Sequence, residues 1–227
     1  GHPAFARLTG MGEMILWGSV STRVLRVHWA LIELGLPYRS VPIQSRSGET
    51  ETPEYGRLNP RRKIPTFQDG DLVLTESPAI VTYLAETYGA PDRSLIPTTQ
   101  PARAKYFEWL SFISMELDAT SLYVLRRHEG LAHLYGDAPA ANQTAREYFD
   151  RLIKASAGDL ADGRRFLLGE TFTGADICMT TCLDWAERYE CALPDAWLAY
   201  RERVRERPSY AAAYEANKAP ASPPPDP

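Results

Sequence analysis

The chain has 227 residues, with 25 Lys+Arg against 29 Asp+Glu and a formal net charge of −4. That length holds one large domain or two small ones, and 44% hydrophobic with 24% charged residues is the balance of an ordinary globular chain. The near-neutral charge gives no reason to expect nucleic acid or an anionic membrane as partner, three cysteines are too few for a disulfide scaffold, and no apolar run approaches the ~20 residues of a membrane helix.

Residues 1–12 read as an N-terminal extension without the basic and apolar regions of a signal peptide. Met14-Ile15-Leu16-Trp17 is a short apolar run, which predicts a buried strand. Gly18-Ser19-Val20-Ser21-Thr22 supplies turn and cap chemistry, and Val24, Val27, Leu31 and Leu34 then follow at helical spacing up to Gly35. Ser21 or Thr22 is the expected N-cap. Tyr38 to Ile43 predicts a second strand, and Pro42 places it at an edge. Pro53 to Leu58 predicts a short helix ending before Asn59-Pro60. Ile64 to Leu74, turning at Asp69-Gly70-Asp71, is a hairpin signal. In Glu76-Ser77-Pro78, Ser77 fits an N-cap and Pro78 the first turn of another helix.

Turn formers from Gly89 to Pro101 mark a linker, placed at residues 90–100. Beyond it the pattern is helical: Ala102 to about His128 as one long helix, Ala141 to Leu160, a buried helix after Thr173, Pro194 to Arg205, and Pro208 to Asn217. Thr173-Gly174-Ala175-Asp176 matches a capping box with Asp in the third helical position, flanked by Phe172 and Ile177 as a staple. Thr173 and Asp176 are therefore assigned to folding. Residues 219–227 form a Pro-rich tail.

In order and spacing, these pieces resemble the cytosolic glutathione transferases. The resemblance rests on Ser21 before Val27, on Asn59-Pro60 followed by Lys63-Ile64-Pro65, on Glu76-Ser77-Pro78-Ala79-Ile80 with Tyr83-Leu84 and Tyr88-Gly89, and on Phe172 to Ile177. It spans Met14 to Asn217. It implies an α/β thioredoxin-like N-terminal domain over residues 13–89 and an all-α C-terminal helical bundle domain over 101–218. It further implies a cytoplasmic homodimer with glutathione as co-substrate and a hydrophobic electrophile as acceptor. No metal is expected, because the four His lack ligand spacing. The implied function is a serine-type transferase, its class undetermined. A glutathione-dependent peroxidase or reductase, and a non-catalytic glutathione-binding regulatory protein, use the same fold and stay open.

That chemistry needs a thiolate. A free thiol with a pKa of about 8.5 is roughly 3% ionised at pH 7, and lowering the pKa by about two units takes roughly 2.7 kcal/mol. A hydroxyl at a helix N-terminus supplies a directed hydrogen bond beside unpaired N–H groups and the positive end of the dipole. Ser21 has that type and place, with Ser19 and Thr22 as alternatives. Arg23, in the first turn, either adds positive potential or is simply solvated. For glutathione, the resemblance implies Ser77 and the helix N-terminus for the α-carboxylate, Glu76 for the ammonium, and Pro65 as a cis-proline presenting the Ile64 backbone. Lys63, or Gln44, meets the glycyl carboxylate.

The acceptor side is least defined. Phe107, Trp109, Phe112, Met115 and Tyr123 form an aromatic-rich stripe, of which Met115 and Tyr123 are the cleft candidates. Arg126, Arg127 and His128 either meet a polar or anionic acceptor or decorate the helix end. Cys178 and Cys182 read as core, and His28 as packing. The absence of a C-x-x-C motif leaves dithiol chemistry unsupported.

Overall fold

A computed structural model describes residues 12–220; most of the extension and residues 221–227 of the tail lie outside the described residues. The first half is built on one four-stranded sheet in the order β2-β1-β3-β4. β1 (Met14–Trp17) alternates buried and half-buried residues, as a strand with one covered face must. β2 (Arg39–Val41) runs parallel to it and stops before Pro42, which has no N–H to continue the ladder. β3 (Thr66–Asp69) pairs antiparallel with β1, and β4 (Leu72–Thr75) antiparallel with β3. Gly70, at φ 58°, makes the two-residue hairpin turn, a backbone region that costs glycine nothing.

Helix α1 (Thr22–Glu33) follows β1 and is buried along one continuous run from Val24 to Leu31. It packs on α3 (Ser77–Tyr88) within its own half and on two helices of the second half. Burial on all sides explains why an apolar stripe at helical spacing is here interrupted by Arg26 and His28, both buried. Between β2 and β3 lie a 3₁₀ turn (Glu49–Glu51) and α2 (Pro53–Leu58), capped by the Thr52 hydroxyl, which accepts from Tyr55 N–H at 3.2 Å.

At the start of α3 the cap is not Ser77. Glu76 occupies that position at φ 72°, and Ser77 is the first helical residue. The physical reason is a competing partner: Ser77 is 2% exposed and its hydroxyl accepts from the buried Arg26 guanidinium at 3.3 Å.

The second half is helical. α4 (Ala102–Phe112) does not continue as one α-helix to His128. It widens into a π-helical segment (Ile113–Leu122), narrows for one turn (Tyr123–Leu125) and widens again (Arg126–Gly130). Hydroxyls of Thr120 and Ser121 donate to carbonyls five residues back, at 2.6 and 2.7 Å, which suits the wider turn. The unexpected α5 (Ala132–Tyr135) follows, then α6 (Pro139–Ser156) and its 3₁₀ extension (Ala157–Leu160). α7 (Gly174–Arg188) is buried from Gly174 to Ala186. At its start the Asp176 carboxylate accepts from Thr173 N–H at 2.8 Å, Leu167 N–H at 2.9 Å and Tyr200 O–H at 2.6 Å. Burial pushes the Asp176 carboxyl up to about 6. α8 (Asp195–Arg205) and α9 (Pro208–Ala216) complete the half.

α1 is the axle of the molecule, packed against both α7 and α9. Arg26 on α1 pairs with Asp118 of the π-helical segment at 2.9 Å and donates to Thr181 on α7 at 2.9 Å. Trp29 donates to Ser209 on α9 at 3.0 Å.

Candidate functional site

A cleft of about 510 Å³ opens where the loop before α1, the loop after β2, the segment Arg61–Ile64 and the second-half helices meet. That is a normal volume for a small-molecule site.

Ser21 is the N-cap of α1, with extended backbone at φ −142° and ψ 135°. Its Oγ accepts weakly from Val24 N–H at 3.5 Å, so its own proton is free to be donated into the cleft. The loop is held from far away. Val20, strained at φ 52°, donates its N–H to the Asn217 carbonyl at 2.7 Å, and the Asn217 side chain donates to the Ser21 carbonyl at 3.1 Å. Thr22 lines the cleft too, but its hydroxyl accepts from Arg188 at 2.8 Å. Ser19 is removed from the cleft: it is 1% exposed and donates to the Pro42 carbonyl at 2.9 Å. Ser21 and Thr22 thus both line the cleft with hydroxyls that only accept, and Ser21 is distinguished as the cap of α1, whose acceptor bond from Val24 N–H is long, while the Thr22 oxygen already takes a charged donor.

Gln44, Lys63 and Ile64 line the opposite wall. The Ile64–Pro65 bond is cis, and Pro65 itself is buried behind the wall. Lys63 is pinned through its carbonyl, which accepts from Tyr55 O–H at 2.6 Å and Asn59 Nδ2 at 2.9 Å, leaving its ammonium exposed. Glu76 is exposed at the rim, 3.9 Å from Arg61, whereas the buried Ser77 hydroxyl is held by Arg26. Neither is among the residues that line the cleft; Ser77 sits at the N-terminus of α3 with its hydroxyl accepting from Arg26, beside the unpaired amides of the first helical turn.

Tyr123 lines the cleft, its ring beneath the Arg23 guanidinium at 4.4 Å. Met115 does not: it is 63% exposed and points elsewhere. The widened helix between them shifts the phase on which the expected stripe depended. Arg23 is neither free nor merely solvated, since it pairs with Asp118 at 2.7 Å. Residues that sequence reasoning missed are Arg46, Tyr135 and Trp185. Tyr135 arrives on the unexpected α5, and Trp185 lies in a helix buried from Gly174 to Ala186, so neither carried a local signal.

Cys178 and Cys182 are buried and free, their thiols pushed by burial up to about 11 and about 12. Among the described residues no group of His, Cys, Asp or Glu is arranged to hold a metal ion, and no helix is long and apolar enough to cross a membrane.

Comparison with known proteins agrees with this arrangement. Residues 12–86 match the family model "Glutathione S-transferase, N-terminal domain", and residues 139–216 match "Glutathione S-transferase, C-terminal domain". The chain is 32% identical over 169 residues to glutathione S-transferase 3 of Zea mays, covering 73% of this chain and 75% of that one. It is also 32% identical over 181 residues to glutathione S-transferase D7 of Drosophila melanogaster, covering 75% of each. A theta class glutathione S-transferase from Xanthomonas axonopodis pv. citri, solved with glutathione bound, superposes with a TM-score of 0.75 at 28% identity, over 88% of this chain and 96% of that one. The sheet, the helical half and the sequence matches across both converge: the chain belongs to the glutathione S-transferase family.

Proposed function

We propose that the protein is a glutathione transferase in which Ser21 activates the thiol. The observation that carries this reading is the uncommitted Ser21 hydroxyl at the N-terminus of α1, facing a cleft of suitable size. Glutathione lies along the wall formed by Gln44, Lys63 and Ile64. Its cysteinyl part follows the Ile64 backbone, its glycyl carboxylate meets Lys63 or Gln44, and its γ-glutamyl end reaches Glu76 and the α3 N-terminus. The Ser21 O–H donates to the sulfur, and the α1 amides add their dipole. The thiolate then attacks an electrophilic carbon held near Tyr123 and Trp185. A carbon–sulfur bond forms, and in a substitution the leaving group departs with its electron pair. The rate gain comes from holding the two reactants together and from stabilising the anion before reaction.

Ser21→Ala is expected to lower turnover of a chlorodinitrobenzene at pH 7 roughly a hundredfold, and to move the pH–rate profile up by about two units. Full activity in Ser21→Ala would remove the assignment. Retention on immobilised glutathione without thiolate absorbance would favour the binding-protein reading instead.

The family resemblance also supports a homodimer. Exposed Leu72 and Val73 on β4 and Phe107 on α4 supply apolar surface on both halves. A monomeric mass in solution at micromolar concentration would count against it. Three free cysteines suit a reducing, cytoplasmic setting.

A further inference from the structure

The chain is acidic overall, yet its cleft is basic. Six lining residues are Arg or Lys, and one, Glu51, is acidic. Three of those cations are paired within the protein, Arg23 with Asp118 at 2.7 Å, Arg62 with Glu51 at 3.3 Å and Arg61 with Glu76 at 3.9 Å. On the wall shared with the second half they are not. Among the described residues Arg46, Arg126, Arg127 and Arg188 form no ion pair. Arg46 donates only to the Tyr135 hydroxyl, at 2.9 Å, and Arg188 only to Thr22, at 2.8 Å. Arg127 stacks on the Tyr135 ring at 4.4 Å.

Arg126 lines the cleft half-buried, in the second widened segment of the helix. Burial, and after it the neighbouring charges of Arg46 and Arg188, lower its proton affinity. Concentrating like charges in a partly buried place is unfavourable unless something negative arrives. Glutathione brings carboxylates, but the other wall already offers Lys63 and the α3 N-terminus for them. The guanidinium is a planar fork that fits a carboxylate through two parallel hydrogen bonds, and the aromatic residues beside it suit a flat apolar body.

We infer that the acceptor subsite takes an electrophile carrying a carboxylate, held by Arg126 with Arg46 where the loop after β2 meets Tyr135 of the second half. This deepens the transferase reading and rests on it. It narrows the expected hydrophobic electrophile to one that also carries a negative charge, the anionic alternative that the sequence leaves open at Arg126. The arginines orient the acceptor so that its electrophilic carbon faces the Ser21 end of the cleft.

The test compares a neutral chlorodinitrobenzene with chlorodinitrobenzoate, which adds a carboxylate para to the halide. In both, sulfur replaces chloride and chloride leaves with the bonding pair. The readout is the ratio of kcat/KM for the two acceptors, each corrected for its uncatalysed rate. Arg126→Gln is expected to lower that ratio about tenfold to a hundredfold, the usual worth of a charge-assisted hydrogen bond. Arg126→Lys, which keeps the charge and loses the fork, should fall between. An unchanged ratio overturns the proposal. A rise in the KM for glutathione with an unchanged ratio also overturns it, by assigning Arg126 to glutathione. Equilibrium binding of unreactive dinitrobenzoate separates this proposal from the reading beneath it. If wild type turns over neither acceptor but binds dinitrobenzoate, and Arg126→Gln loses that binding, the transferase reading fails and the anion site stands. If wild type does not bind dinitrobenzoate, the anion site fails.

Discussion

Two groups of arginines lie within the reach of α1 and differ in what answers their charge. Arg23 and Arg26 share Asp118, at 2.7 and 2.9 Å, and Arg26 and Asp118 are almost inaccessible to solvent. Arg46 and Arg126 line the cleft, with Arg127 and Arg188 close by, and none of the four pairs with a carboxylate among the described residues. The first group is closed: three charges from α1 and the π-helical segment satisfy one another and fasten the halves. The second is open, held by ring faces and hydroxyls that position a guanidinium without neutralising it. Paired arginine is structure here, and unpaired arginine is capacity for a ligand.

The largest effect that can break this contrast is at Asp118. Burial alone would raise its pKa, but Arg26 and Arg23 outweigh burial and hold it below the ordinary carboxylate value. Asp118→Asn leaves two guanidiniums facing a neutral amide, and unfolding in urea should show a loss of about 3–5 kcal/mol. A loss below about 1 kcal/mol would show that the closed group fastens nothing.

A slightly smaller effect belongs to His28, also buried on α1 but with no opposite charge beside it. Its Nδ1 lies 2.7 Å from the Tyr38 hydroxyl, and burial pushes its pKa down to about 4 from 6.5. The unfolded chain therefore binds this proton at a higher pH than the folded chain. The stability contributed is complete above pH 6.5 and is lost as the pH falls toward about 4, by about 3 kcal/mol. Urea midpoints across that window should fall for the parent and stay flatter for His28→Gln. Equal slopes would mean that some other group sets the acid response.

The smallest effect is expected at Arg126, and its smallness sharpens the contrast. If Arg126 serves a ligand rather than the fold, Arg126→Gln should leave the unliganded stability within about 0.5 kcal/mol, since the substitution removes like-charge repulsion and breaks no ion pair. A loss like that of Asp118→Asn would place it in the closed group.

The same two groups show how far the sequence could be read. The first half announced itself through turn chemistry: Gly70 in the hairpin, Pro42 at the sheet edge and Ser21 before an apolar periodicity are local signals with local causes. Arg26 gave no such signal. Its partners Ser77, Asp118 and Thr181 lie at least fifty residues away, so it looked like a polar interruption of α1 until the chain folded. The cap at α3 was misplaced by one residue for the same reason, because a distant guanidinium claims the Ser77 hydroxyl. Met115 and Tyr123 were chosen on a regular helical phase, and the π-helical segment between them carries one into solvent and the other into the cleft. Helical propensity does not distinguish the α turn from its wider variant; the tertiary packing does.

The two hydrogen bonds between Asn217 and the Val20–Ser21 loop have a consequence for the order in which this protein acquires its activity. They close a loop of nearly the whole described chain around the cap of α1. Contacts so distant in sequence cannot form until the intervening chain is made and packed. The first half can therefore assemble its sheet on the ribosome while the serine turn still lacks its distant tether. If Ser21 acts as proposed, competence reports that the last helix has docked, and a chain interrupted before α9 would carry Ser21 without the clasp at Asn217.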